Sequence, residues 1–347
     1  MGQDRHTTSP AEQPNWRSRL RKVISGGRWT RIERLSEDDY RAFLPVFEEV
    51  KAAILAEVPA TATRSCMAAF SEPETCYLLY RSVRERKPRT MIETGTFIGL
   101  SALVCAKALQ ANHREHGIEG TIYSISLNCF YRVEEPMAIA ARACERLGLA
   151  PYVRLIEGSS TPLNFMESTG AVAIQREAYL RERLAAQGRE SLLDRLAAIL
   201  GRVDLAYLDS LHYEACQMTE VAALLEHLSP GGCLLIDDAL LSKRREDWRY
   251  LLSSLLRLDV QTHRLADFVR CGFRFYHAPW IVEAFRWSAV ARVSFFRTRR
   301  GFLRSIRLER NPNYHSPYGP LSSWYAPESL EEFLEKYELR RPEEARV

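Results

Sequence analysis

The sequence has no apolar run approaching the roughly 18 residues of a membrane span. Its first residues, MGQDRHTTSPAEQPNW, lack the apolar core of a secretory signal. A cytoplasmic protein is the expectation. The 8 cysteines include no CxxC pair and no neighbouring histidine spacing, which argues against a zinc site and a disulfide framework. Internal repeats are absent. The net charge is only +4, so the chain as a whole does not attract an anionic partner, although its arginines cluster at the two ends. What is present is ordinary for a folded protein: 347 residues, 46% hydrophobic and 27% charged, enough for one large core with appended segments.

Residues 1–34 are polar, carry Gly26-Gly27 and several arginines, and show no sustained apolar period, so they read as a mobile basic tail. Order is expected near Ser36, where Tyr40, Phe43, Leu44, Phe47, Val50 and Ile54 recur at helical spacing. A second helix is predicted over 74–86. Short β-branched runs then alternate with amphipathic stretches, the pattern of a parallel sheet built from βαβ crossovers. Strands are predicted at 90–94, 121–125, 152–157, 205–209 and 233–237, with helices after Gly99, Glu134, Glu214 and Arg244. The runs at 260–265 and 272–277 are separated by too short a loop for a crossover and should pair antiparallel. The stretch 161–201 is long for a connection and rich in Ala, Leu, Glu and Arg, which predicts an inserted helical pair broken near Gly188. Beyond Pro279 an aromatic, arginine-rich helix and a last helix over 329–339 are expected.

The segment MIETGTFIGLSALVCAKAL leaves a strand at Glu93, turns through Gly95 and Gly99, and enters an apolar helix after Ser101. Such glycines let a backbone approach a ligand closely, and the free N–H groups of a helix start favour an anionic group. A tight strand-to-helix turn needs glycine as well. A dinucleotide loop would read GxGxxG, and its first glycine is here Glu93, so NAD is not expected. The ExGxxxG pattern resembles motif I of class I S-adenosylmethionine-dependent methyltransferases. The resemblance implies that Glu93 faces the cofactor's ammonium, that Gly95, Phe97 and Gly99 line its wall, and that Ser101 meets its carboxylate. At the end of the second strand the family carries an acid for the ribose, whereas this chain reads YSISLN, leaving Ser126, Asn128 or water. IEGSS after the third strand matches the family's adenine-edge turn through Gly158 and Ser160, with a plain surface turn as the alternative.

The fourth strand runs into VDLAYLDSLHYEA and the fifth into GGCLLIDDAL. Parallel neighbours lie about 4.8 Å apart, so Asp209, Asp237 and Asp238 should converge at the carboxyl edge, where their mutual repulsion favours a hard divalent cation. This resembles metal-dependent O-methyltransferases of the catechol and macrocin types. It implies magnesium on Asp209, Asp237 and Asp238, with Asp209 also beside the cofactor and a participant in catalysis. His212, three residues on, takes the place of the catalytic base, its ordinary pKa near 6.5 suiting that role. The plain alternatives are helix N-caps for the acids and a helix-start position for His212.

The segment WIVEAFRWSAVARVSFFRTRRGFLRSIRLER reads as a packed amphipathic helix with a solvated basic face. Phosphate contact with nucleic acid or an anionic membrane is its alternative. The resemblance, over 91–277, implies an α/β, Rossmann-like, doubly wound seven-stranded sheet of five parallel strands plus an antiparallel pair, with helical N-terminal, inserted and C-terminal additions. The expected units are the tail 1–34, a helical cap 35–88, a core 89–278 containing the insertion 161–201, and an extension 279–347. The expected activity is magnesium-assisted O-methylation of a small hydroxylated acceptor by a chain that can form a homodimer. A metal-free N- or RNA methyltransferase, or a non-catalytic nucleoside-binding relative, is the rival.

Overall fold

The computed structural model describes residues 30–34, 36–68, 70–128, 133, 135–161, 191–210, 220, 223–224, 227–237, 290–297, 303–310 and 328–339. Among the described residues eight strands form one sheet: β1 (Thr30–Arg34), β2 (Thr90–Thr94), β3 (Thr121–Ser126), β4 (Val153–Glu157), β5 (Val203–Leu208), β6 (Leu228–Ile236), β7 (Val290–Arg297) and β8 (Leu303–Arg310). Their order across the sheet is β1-β7-β8-β6-β5-β2-β3-β4. The run β6-β5-β2-β3-β4 is parallel throughout, so the five expected parallel strands are present.

The rest of the sheet departs from expectation. Among the described residues it has eight strands where seven were expected, and β8 pairs antiparallel with both β6 and β7. This hairpin occupies part of the segment expected to be helical. Its β-branched and aromatic residues, Val290, Val293, Phe295, Phe296 and Ile306, favour extended backbone, and a partner strand overrides the weak helical spacing of the arginines. The expected antiparallel runs at 260–265 and 272–277 lie outside the described residues. So do 162–190 of the insertion and the helix expected after Arg244, while of the helix expected after Glu214 only Glu220, Ala223 and Leu224 are described, all three helical and buried. Thr30–Arg34, expected in the tail, instead pairs parallel with β7.

The helices follow local signals closely. In α1 (Glu37–Leu55), the Ser36 side chain accepts from Asp39 N, and three acids in the first turn suit the positive helix end. Tyr40, Phe43, Phe47, Val50 and Ile54 turn inward. A short α2 (Thr63–Ala68) follows, and α3 (Pro73–Arg86) begins with proline at its first turn, where no N–H partner is needed. The crossovers use α4 (Leu100–His116) and α5 (Pro136–Arg146). Then come α6 (Leu192–Leu200), capped by Ser191, and α7 (Leu330–Tyr337), opened by a reciprocal Ser329–Glu332 capping box.

One apolar cluster joins Phe43, Phe47, Tyr77 and Leu79 to Leu103, Ile122, Leu205 and Leu235, so α1 and α3 share the sheet's own core. Arg86 reinforces the join, donating to Gly231 O at 2.7 Å and to Glu309 Oε1 at 2.8 Å. At the opposite edge Leu339 N donates to Leu155 O and Ile156 bridges Glu338, covering the open side of β4. Among the described residues no helix is long and apolar enough to cross a membrane.

Candidate active site

Glu93 is fully buried on β2, an expensive place for a charge. Burial raises its carboxyl to about 7 against the pull of the Ser101 and Ser124 hydroxyls. Ser124 Oγ donates to Glu93 Oε2. With its proton committed there, Ser124 must accept from Thr96 Oγ1, 2.6 Å away. The other carboxylate oxygen, Oε1, is buried without a hydrogen-bond partner. Near neutral pH this site therefore holds an acid ready to lose its proton to a cation.

The turn after β2 is fixed by its neighbours. Gly95 has φ +91°, donates to Ile125 O at 2.9 Å, and a Cβ there would stand 2.1 Å from Asp209 O. Gly99, with φ +87°, would meet the Cβ of Ala140 at 2.7 Å. Both glycines are thus required by close packing against β5 and α5. Phe97 between them also has positive φ, at 48°, and is half-buried. Ser101 lies buried in the first turn of α4 beside Glu93.

Asp209 and Asp237 continue the parallel ladders one residue past the strands, through Asp209 N to Thr94 O and Asp237 N to Leu208 O, each 3.0 Å. Register settles their side. Glu93 pairs with Tyr207, and Tyr207 with Leu235, so Asp209 and Asp237, two residues further on, share Glu93's face. Tyr207 Oη donates to Asp209 Oδ2 at 3.1 Å. Buried Cys76 of α3 closes the group: burial first, then Asp237, Asp209 and Glu93, push its thiol well above the ordinary range. Burial and the same carboxylates do likewise to Tyr207. Asp238 and His212 lie outside the described residues. Among those described, no group of three or more His, Cys, Asp or Glu side chains is arranged to hold a metal ion.

The second and third strand ends are also joined. Gly158 N donates to Ser126 O at 2.8 Å. Asn128, at φ 47°, has its Oδ1 engaged by Met137 N at 3.0 Å, so its side chain ties the start of α5. Ser160 Oγ and Ser210 Oγ donate to Glu220 Oε1 at 2.5 and 2.6 Å. Glu220 is fully buried, and its carboxyl is raised to about 7 by that burial. Sequence reading missed Glu220, Cys76, Tyr207, Ser124 and Thr96. Only Tyr207 carried a signal, standing two positions before a strand-end aspartate.

Residues 92–239 match the sequence model of a methyltransferase domain. No curated protein matches the chain. Among solved structures, it is similar to the O-methyltransferase from Bacillus cereus in complex with SAH, at 15% identity, covering 80% of this chain and 92% of that one, with a TM-score of 0.39. It is similar to the O-methyltransferase TomG from Streptomyces achromogenes in complex with SAM, at 17% identity, 76% and 90% coverage and TM-score 0.42. A third is the SAH-bound methyltransferase PaMTH1 from Podospora anserina, at 15% identity, 81% and 98% coverage and TM-score 0.40.

Proposed function

We propose that the protein, whose residues 92–239 match a methyltransferase domain, is a class I enzyme that transfers a methyl group from S-adenosylmethionine to a hydroxyl of a small metabolite, assisted by a divalent cation. The observation that carries this reading is the shared face of Glu93, Asp209 and Asp237 at the carboxyl edge of the sheet. S-adenosylmethionine fits the residues present: its ammonium matches the unpartnered Glu93 Oε1, and its carboxylate matches Ser101 and the start of α4. When bound, it supplies an electrophilic methyl on a sulfonium.

The chain's own groups do the rest. Glu93 gives up its proton and anchors the ammonium. Asp209 and Asp237, with Asp238, offer the hard oxygen set that suits magnesium, which would lower the pKa of the acceptor hydroxyl. Tyr207 orients Asp209 through its hydroxyl. His212 receives the acceptor's proton in this reading. Cys76 and the packed face of α3 keep water from the acid side of the rim.

Calorimetric titration of S-adenosylmethionine and S-adenosylhomocysteine, with and without magnesium, tests the proposal on wild type and Asp209→Ala. Binding by wild type, with a magnesium dependence that Asp209→Ala loses, is expected. Turnover indifferent to a chelator would replace it with the metal-free N- or RNA-methyltransferase reading. No binding of either ligand would leave only a non-catalytic relative.

A further inference from the structure

The register places one row of residues across the rim. Ser126 pairs with Glu157, Thr94 with Ile125 and Leu208, and Leu208 with Ile236. One step beyond the last pairs, the row reads Glu157, Ser126, Gly95, Asp209, Asp237 across β4, β3, β2, β5 and β6. All five fall on the face that carries Glu93, because each stands an even number of residues from Glu93 or from its register partners. The middle is low, a glycine and a serine. Carboxylates stand at both ends.

From Glu157 to Asp209 is three strand spacings, about 14 Å at about 4.8 Å each. A nucleoside that carries an amino-acid arm can span such a slot. Glu93 sits below its centre and takes the ammonium in the reading above. Asp209 and Asp237 are committed to the end where Tyr207 and Cys76 pack. The nucleoside's ribose presents two neighbouring hydroxyl donors, and a charged acceptor binds such donors more strongly than a neutral one. On the β3–β4 half of the row only Glu157 is charged.

Glu157 is also held where this task needs it. It is 8% exposed, while Arg154 on the same strand faces solvent. Gly158 N to Ser126 O locks the ends of β3 and β4 together beside it. Residues 338–339 cover the outer edge of β4, on the side away from Ser126.

We infer that Glu157 is the ribose-binding carboxylate of this protein, reaching from the end of β4 over Ser126 to the cofactor's vicinal hydroxyls. This fixes the ligand's direction: adenosine over β3 and β4, and the reacting methyl toward Asp209 and Asp237. The inference rests on the cofactor assignment proposed above.

The test is calorimetry on the full chain with two probes, S-adenosylhomocysteine and its analogue lacking both ribose hydroxyls. Glu157→Gln is expected to weaken S-adenosylhomocysteine about ten- to a hundredfold and to leave the dideoxy analogue unchanged. Ser126→Asp in the Glu157→Gln background returns a carboxylate from the neighbouring strand and is expected to recover much of the loss. Equal weakening of both probes by Glu157→Gln, or no weakening of either, overturns the role of Glu157 while leaving the cofactor assignment intact. If wild type binds neither probe, both fall together.

Discussion

Replacing Glu93 by glutamine isolates the cost of burying one ionisable carboxyl under the rim. In the folded chain that group titrates near about 7 instead of 4.5, because burial disfavours its charged form. The folded state therefore holds the proton more tightly than the unfolded chain. Its contribution to stability is fully present below pH 4.5 and is lost as pH rises through 7. The interval corresponds to roughly 3 kcal/mol. The substituted amide cannot ionise, so that pH dependence should vanish in Glu93→Gln, although burying the amide costs a constant amount at every pH. The slope, not the absolute stability, is the observable. Urea unfolding of the ligand-free protein at pH 5, 6, 7 and 8 should show wild type losing roughly 2 to 3 kcal/mol more than Glu93→Gln across that range. Glu220, raised to about 7 by burial as well, adds a fall of similar size. The double variant Glu93→Gln/Glu220→Gln should then be flattest. An unchanged pH slope in Glu93→Gln would refute the buried, protonatable Glu93 on which the proposed ammonium site depends.

Other substitutions separate packing from chemistry. Gly95→Ala puts a methyl 2.1 Å from Asp209 O at positive φ, and no side chain there can move aside. Loss of cofactor binding with a stability loss of about 3 kcal/mol or more is expected by calorimetry and thermal unfolding. Gly99→Ala meets Ala140 Cβ at 2.7 Å and should cost about 1 to 3 kcal/mol, part of it recovered by Ala140→Gly in a double-mutant cycle of unfolding free energies. Ser329→Ala removes one side of the capping box of α7 and should lower stability by about 1 kcal/mol in urea unfolding without changing cofactor affinity.

The parallel half of the sheet was legible because each strand is a short apolar run ending in chemistry-bearing residues, and the alternation with helices leaves few topologies. The hairpin was not. In 303–310 the order Leu-Arg-Ser-Ile-Arg-Leu-Glu-Arg satisfies a helical reading and a strand reading alike, and only the partner strand decides. The same limit governs the site. Glu93, Asp209 and Asp237 announce themselves as acids at strand ends. Glu220 and Cys76 sit in stretches whose pattern says only helix or cap, and tertiary packing alone brings them to the rim. Asn128 adds a structural task that its place at a strand end did not announce: its Oδ1 accepts from the backbone of α5.

Segments outside 92–239 form part of the frame that sets the site's electrostatics. α3 precedes the domain, yet its Cys76 is fully buried where Glu93, Asp209 and Asp237 all act on it. Burial is likewise the largest cause of the raised pKa of Glu93. Arg86, at the end of the same helix, grips Gly231 O in the strand that leads to Asp237 and Glu309 in β8. β8 in turn pairs with β6 as far as Ile236, the residue before Asp237. The expected cap and the expected extension therefore meet across the acid-bearing strands. These outer segments thus pack around the acid-bearing strands, and the buried surroundings they share strengthen the influence of each carboxylate on its neighbours.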